Sequence, residues 1–380
     1  MTITQETQTP EGPRAGRRRN GARRMKLAMA ALSASGVAGL TLTAAGASTK
    51  SSHAVVPLVL YSAQGYDSAM AKAFTAATGI PVNLDDDSTG PLLTKIQTEK
   101  NNPQWNLLWV DGTTAFAGLD TAGLLAKNLT TSNSVHLNSL GLNASATDGS
   151  WIPTGVTMMG AVLYNKTKIA TPPKTYSALL STKWRGQLGM NDPTQSGPTF
   201  PLIAGVMNEL GATAKGCAST ACAIRDGEHF FATLKTDTGL VIHPTNRPTI
   251  AAITSGQINM GLVQSSAAAG AAIGTSNLGV AYLSPATLLP SAIGVDAKAS
   301  KVVRAEAERF INFVLSPAGQ HVMQTGDPTG DSLYYPVVKG TNPLPALPSI
   351  AHVNTQAIDP YVWGPQETKI NNWFTANITQ

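Results

Sequence analysis

The chain is poor in the residues that most often announce chemistry. It has two cysteines, Cys217 and Cys222, which is too few for a thiolate metal site, and no other ligands cluster beside them. The six histidines, at 53, 136, 229, 243, 321 and 352, are scattered without ligand spacing. No G-x-S-x-G elbow, H-E-x-x-H pair or S-x-x-K triad occurs, so an exported hydrolase stands only as an enzyme alternative. Net charge is also missing once the N-terminus is set aside. Seven basic and two acidic residues precede Ser48 in a chain holding 27 and 22, so the remainder has 20 of each. That balance gives no reason to expect a nucleic-acid partner.

The basic head runs into an Ala/Gly-rich apolar stretch at 27–47 that ends in Ala45-Gly46-Ala47. Positive region, apolar region and small residues make residues 1–47 an export signal peptide, with cleavage expected after Ala47. Arg23-Arg24 leaves the twin-arginine and general routes both open. An uncleaved membrane anchor is the other reading of the same stretch. In an exported protein, two closely spaced cysteines most simply form a disulfide, here a local clip.

From residue 55 onward, short apolar strands alternate with amphipathic helices, the pattern of an α/β protein with covered parallel sheet. Strands are expected at 55–61, 80–84 and 107–110, and helices start at Asp67, Ser88 and Thr113. Polar punctuation at 145–155 interrupts the pattern, which then resumes. The segment NDPTQSGPTF at 191–200 reads as a strand end, a polar turn and a helix start. Ser196 is placed to cap that helix and Pro198 to sit in its first turn. A helix N-terminus with unpaired N–H groups is a ready anion seat, although an ordinary capped helix reads the same way.

The order of these segments resembles the exported solute-binding receptors of bacterial ABC importers, in the subgroup serving ferric ion, phosphonates such as 2-aminoethylphosphonate and similar small ligands. The resemblance is carried by LVLYSAQGYDSAMAKAFTAATGIPVNL, STGPLLTKIQTEKNNPQWNLLWVDGTTAF, GAVLYNK, NDPTQSGPTF, SGQINMGLV, RAEAERFINFVLSPAGQHVM and YYPVV, which span nearly all of the chain after the leader. It implies a type II periplasmic-binding-protein fold with two lobes and a hinged cleft between them. Lobe one would comprise 55–153 plus 284–324, and lobe two 154–283 plus 325–380. Hinge strands would lie near 151–156 and 283–292.

Carried over position by position, the resemblance implies four ligand-binding loops. They hold Ser62 and Ala63; Ser88, Thr89 and Gly90; Asp111 and Thr113; and Asp192, Thr194, Ser196, Gly197 and Thr199. Hydroxyls and helix N-termini of this kind favour a small anion such as a phosphonate or phosphate ester. Arg247, just before Pro248, would pair with that anion or else be a solvent-exposed or lobe-bridging arginine. The Asp85-Asp86-Asp87 run and Asp111 are either a solvated turn or a sign that the ligand also carries an amine. Ferric iron is the runner-up ligand, because the segment LVQSSAAAGAA lacks the paired tyrosines that iron receptors of this family use. The expected partners are the small solute and a membrane permease, with the chain acting as a monomer outside the cytoplasmic membrane. No cofactor or metal is expected, and no catalysis.

Overall fold

A computed structural model describes residues 55–214 and 219–380. The export signal therefore lies outside the described residues, and so does Cys217, one half of the expected disulfide. No helix among the described residues is long and apolar enough to cross a membrane.

The first third of the described chain alternates strand and helix, as its apolar spacing predicts. It contains β1 (Leu58–Ser62), α1 (Asp67–Thr78), β2 (Val82–Asp86), α2 (Thr89–Glu99), β3 (Leu107–Asp111), α3 (Thr113–Thr121) and α4 (Ser139–Ala144). A long strand β4 (Trp151–Asn165) follows, then α5 (Tyr176–Leu179), β5 (Leu188–Asn191), α6 (Thr199–Thr213) and α7 (Thr220–Thr238). Next come β6 (Val241–His243), α8 (Asn246–Ser255), β7 (Met260–Val263), α9 (Ser265–Gly274) and a second long strand, β8 (Leu278–Val295). The chain ends with α10 (Lys301–Val314), α11 (Pro317–Thr325), β9 (Tyr335–Pro336), β10 (Thr355–Gln356), α12 (Pro360–Trp363) and α13 (Glu367–Phe374).

The sheet is mixed, not uniformly parallel. Its order is β2-β1-β3-β8-β4-β7-β5-β6, with β9 and β10 as short additions. β1 lies parallel to β2 and β3, and β5 lies parallel to β6 and β7. Between these trios runs the antiparallel pair β4–β8, which stays in register contact from Trp151 to Asn165 with irregularities at Pro153/Gly155 and Met159/Ala161. The punctuation at 145–155 hides the start of β4, because Pro153 sits at one of the irregularities, where a missing N–H is tolerated. The two stretches expected as hinges are thus parts of two full-length strands.

Apolar side chains cover both faces at each end. Met70 and Phe74 of α1 meet Phe310, Ile311 and Val314 of α10 on one face of the β1 trio. Leu92 and Ile96 of α2 and Phe116 and Leu119 of α3 cover the other. Around the β5 trio, α6 and α7 form the larger cluster, which Trp363, Ile370 and Phe374 join from the C-terminal helices. Trp109 of β3 ties the first trio to the central pair. Its indole N–H donates to Thr154 Oγ1 and to Ser291 Oγ, both at 3.0 Å.

Candidate functional site

The carboxyl ends of the two parallel trios, which run in opposite directions, converge on one cavity of about 640 Å³. Its wall takes Ala63–Gly65 after β1, Asp86–Thr89 after β2 and Asp111 at the end of β3. The other side takes Gln195–Pro198 after β5, Thr245–Pro248 after β6, and Gln264 with Ala267 after β7. A loop beyond α11 completes it with Asp327, Thr329, Gly330 and Asp331. Open α/β sheets bind ligands at the carboxyl ends of their strands, so the topology alone marks this place.

The two segments picked out from sequence meet at its mouth. Gly90 N–H donates to Gln195 O at 3.5 Å. A Cβ on Gly90 would lie 2.0 Å from Thr194 O, and one on Gly197 would lie 2.4 Å from Thr89 Cβ. Only glycine permits these approaches from either side. Ser88 stands in the N-cap position of α2 without a side-chain capping bond, while Asp87 Oδ1 accepts its N–H at 2.7 Å.

Of the residues expected to bind, Ala63, Ser88, Thr89, Asp111, Ser196, Gly197 and Arg247 line the cavity. The other six stand elsewhere. Ser62 is buried, and its hydroxyl accepts the Gln64 N–H at 3.2 Å. Gly90 and Thr194 line a shallow neighbouring hollow, and Thr113 lines a separate cavity with Trp151, Leu289 and Tyr361. Asp192 Oδ1 is engaged within its own turn, accepting from Thr194 N and Oγ1 at 2.8 and 2.7 Å. Thr199 is buried in the first turn of α6, with its hydroxyl unpartnered among the described residues.

Ser196 does not cap α6 as its sequence position predicts. The Asp192 turn comes first, with Gln195 and Ser196 N–H donating to Asp192 O, and the helix begins only at Thr199. The Ser196 hydroxyl instead accepts from Asn191 Nδ2 at 3.3 Å.

The cavity's electrostatics differ from those expected of a plain anion site. Asp86, Asp87, Asp111, Asp327 and Asp331 line it, against Arg247 as the single basic residue among its described lining. Asp86 and Arg247 are exposed at the mouth, whereas Asp111 is 4% exposed at the floor. Asp111 Oδ1 accepts Gln64 Nε2 at 3.0 Å, and Oδ2 accepts Gln264 Nε2 at 2.9 Å and the Tyr334 hydroxyl at 2.7 Å. Burial pushes Asp111 above the usual carboxylate range, against the pull of these three donors. Asp331 accepts from the Ser266 hydroxyl and, at 3.3 Å, from Asn246 Nδ2. Burial first, then the Asp111 charge, raises it to about 7.

Sequence reasoning passed over Gln64, Asn246, Gln264, Asp327 and Asp331. Gln64 adjoins Ala63 in a loop already singled out, and extending that loop by one residue would have found it. Tyr334, in the YYPVV segment, donates its hydroxyl to Asp111.

Residues 69–347 match the model of one family, described as bacterial extracellular solute-binding protein. The chain belongs to that family. Solved structures agree on the fold. Iron-bound HitA from Pseudomonas aeruginosa superposes with a TM-score of 0.69 at 24% identity, covering 83% of this chain and 98% of its own. AfuA from Actinobacillus pleuropneumoniae, solved with fructose-6-phosphate, gives a TM-score of 0.72 at 16% identity, with 85% and 98% covered. A periplasmic thiamin binding protein gives 0.66 at 18% identity, with 87% and 98% covered. No curated protein sequence matches the chain. At these identities the likeness establishes the type II binding-protein fold, and the family and its neighbours are binding proteins.

Proposed function

We propose that this chain is the solute receptor of an ABC importer and that it captures a small solute of mixed charge for delivery to a membrane permease. The observation that carries this reading is the 640 Å³ cavity at the converging strand ends, lined by Ser88 and Thr89 against Gln195–Gly197, with Gly90 N–H donating to Gln195 O beside it. In this reading the two lobes are 55–153 with 284–324 and 154–283 with 325–380, and β4 and β8 are the hinge. Capture closes the lobes by no more than the solute's differential affinity for the open and closed forms.

The anionic or hydroxyl-bearing end of the solute lies at the mouth. There the N-terminus of α2, the hydroxyls of Ser88 and Thr89, and Arg247 supply donors. The five aspartates argue against a solute that is negative throughout; of the acidic run at 85–87, Asp86 and Asp87 line the cavity while Asp85 pairs with Lys95 outside it. Ferric ion is the second reading, favoured by that carboxylate count and by the shared fold with an iron-bound neighbour.

A thermal-shift screen of phosphate esters, phosphonates, their amino derivatives, amino acids and ferric citrate decides between the two. A solute at about 100 times its Kd raises stability by about 2.7 kcal/mol. The expected hit carries both an amine and an oxyanion. Saturable binding of ferric ion alone would replace the mixed-charge reading, and no saturable ligand at all would remove the receptor role.

A further inference from the structure

We propose that the floor of the cavity is a seat for a primary ammonium group, formed by Asp111 and Asp331 together with the amide oxygens of Gln64 and Gln264. This inference rests on the receptor reading and narrows the solute it serves.

Three features point to that chemistry. The first is uncompensated charge, since none of the ion pairs among the described residues involves Asp111 or Asp331. The donors that reach them are neutral amides and hydroxyls from Gln64, Gln264, Tyr334, Ser266 and Asn246. Neutral donors orient a buried carboxylate but leave its charge in place.

The second feature is a surplus of acceptors. Gln64 and Gln264 are 2% and 0% exposed, and both line the cavity. Each commits its amide nitrogen to Asp111, and each amide oxygen is without a donor among the described residues. Buried acceptors are nearly always satisfied in folded proteins, so this pair calls for N–H or O–H donors from outside the chain. A primary ammonium brings three such donors and a positive charge. Burial raises both carboxylates above their ordinary range, and a cation at the floor opposes that effect.

The third feature separates this cation from its rivals. Among the described residues, no three His, Cys, Asp or Glu side chains group to hold a metal ion. A quaternary ammonium has no N–H and prefers open aromatic faces. The aromatics beneath the floor do not offer them. Tyr66 and Tyr334 are 1% and 0% exposed, and their rings pack edge to face at 5.6 Å.

The test uses fragments, so the rest of the solute need not be known. The folded protein is titrated at pH 8 with ethylammonium chloride and with tetramethylammonium chloride at matched ionic strength, following thermal stability and calorimetric heat. Ethylammonium should bind saturably and at least tenfold more tightly than tetramethylammonium. Gln264→Met and Asp331→Asn, each checked for folding by circular dichroism, should each weaken ethylammonium at least fivefold. If Gln264→Met does not fold, Asp331→Asn decides alone. Equal affinity for the two cations, no ethylammonium binding, or undiminished binding in the folded variants overturns the seat. Tight capture of a solute lacking an amine would do so as well, while leaving the receptor reading intact.

Discussion

The mouth and the floor of the cavity are built on opposite principles. At the mouth, exposed Arg247 and the α2 N-terminus offer donors, Gly90 lies against the Thr194 backbone and Gly197 against the Thr89 side chain. At the floor, Asp111 is held by Gln64, Gln264 and Tyr334, and the chemistry left over is acceptance. In the proposed reading, a solute meeting both surfaces is oriented as well as held, because reversing it would bring its anionic end against Asp111 and Asp331. The contrast also separates geometry from charge. On the same proposed reading, closing the mouth is a matter of steric fit, whereas the floor would discriminate by protonation and charge.

Breaking the steric half should have the largest effect. Gly90→Ala places a carbon against the Thr194 carbonyl, which is backbone and cannot swing away. The captured solute should then lose more than about 3 kcal/mol, over a hundredfold in Kd by calorimetry. Unchanged affinity would mean that this approach is incidental to capture. Next comes the charge at the floor. Asp111→Asn should cost roughly 1.5–3 kcal/mol of solute affinity, the scale of hydrogen bonds to a charged group, and a smaller loss than Gly90→Ala.

The mouth hydroxyls come third. Thr89→Ala combined with Ser196→Ala should weaken binding by about 1–3 kcal/mol in total. If that double variant lost more than Asp111→Asn, the mouth and not the floor would dominate recognition.

The smallest effect sharpens the comparison without any ligand. The folded-state value of Asp331, about 7, lies above the ordinary carboxylate value of 3.8 that it regains on unfolding. The folded protein therefore binds more protons between those values, and the stability due to Asp331 is fully present below pH 3.8 and lost as pH rises through about 7. Asp67, raised to about 6, and Glu367, raised to about 7, both by burial, act in the same direction. Chemical denaturation across pH 4–8 should show a fall in stability for the unliganded protein, with a shallower slope in Asp331→Asn. An equal slope in both would place Asp331 in a more solvated setting.

Much of the mouth was legible because local rules produce it. Strands ending in Ser62, Asp86 and Asn191 run into polar turns and helix starts, and the topology brings such ends together. The floor was legible only in part. Asp331 is more than 200 residues from Asp111 in sequence, and nothing near it marks the loop at 326–332 as part of a site. Gln64 and Gln264 carry no charge pattern, and the latter's segment was weighed only for tyrosines. Buried elements also hid for want of contrast. Helix α9 is buried from Ser265 to Ala271, so its alanine-rich sequence has no polar face to reveal a helical period. Strand β4 is buried along nearly all of its length, so alternation could not delimit it.

The pairing of β4 with β8 has a mechanical consequence. Two of the chain's crossings between the strand trios are extended ribbons bonded side by side, so neither can flex as a free tether. The third is the segment after α11, which carries Trp363, Ile370 and Phe374 to the β5 side. A relative rotation of the two ends would twist this ladder, and the twist should concentrate where rungs are missing, at Pro153–Gly155 and Met159–Ala161. Stiffening or adding a residue at those two breaks would alter the ease of that rotation without touching a single group that faces the solute.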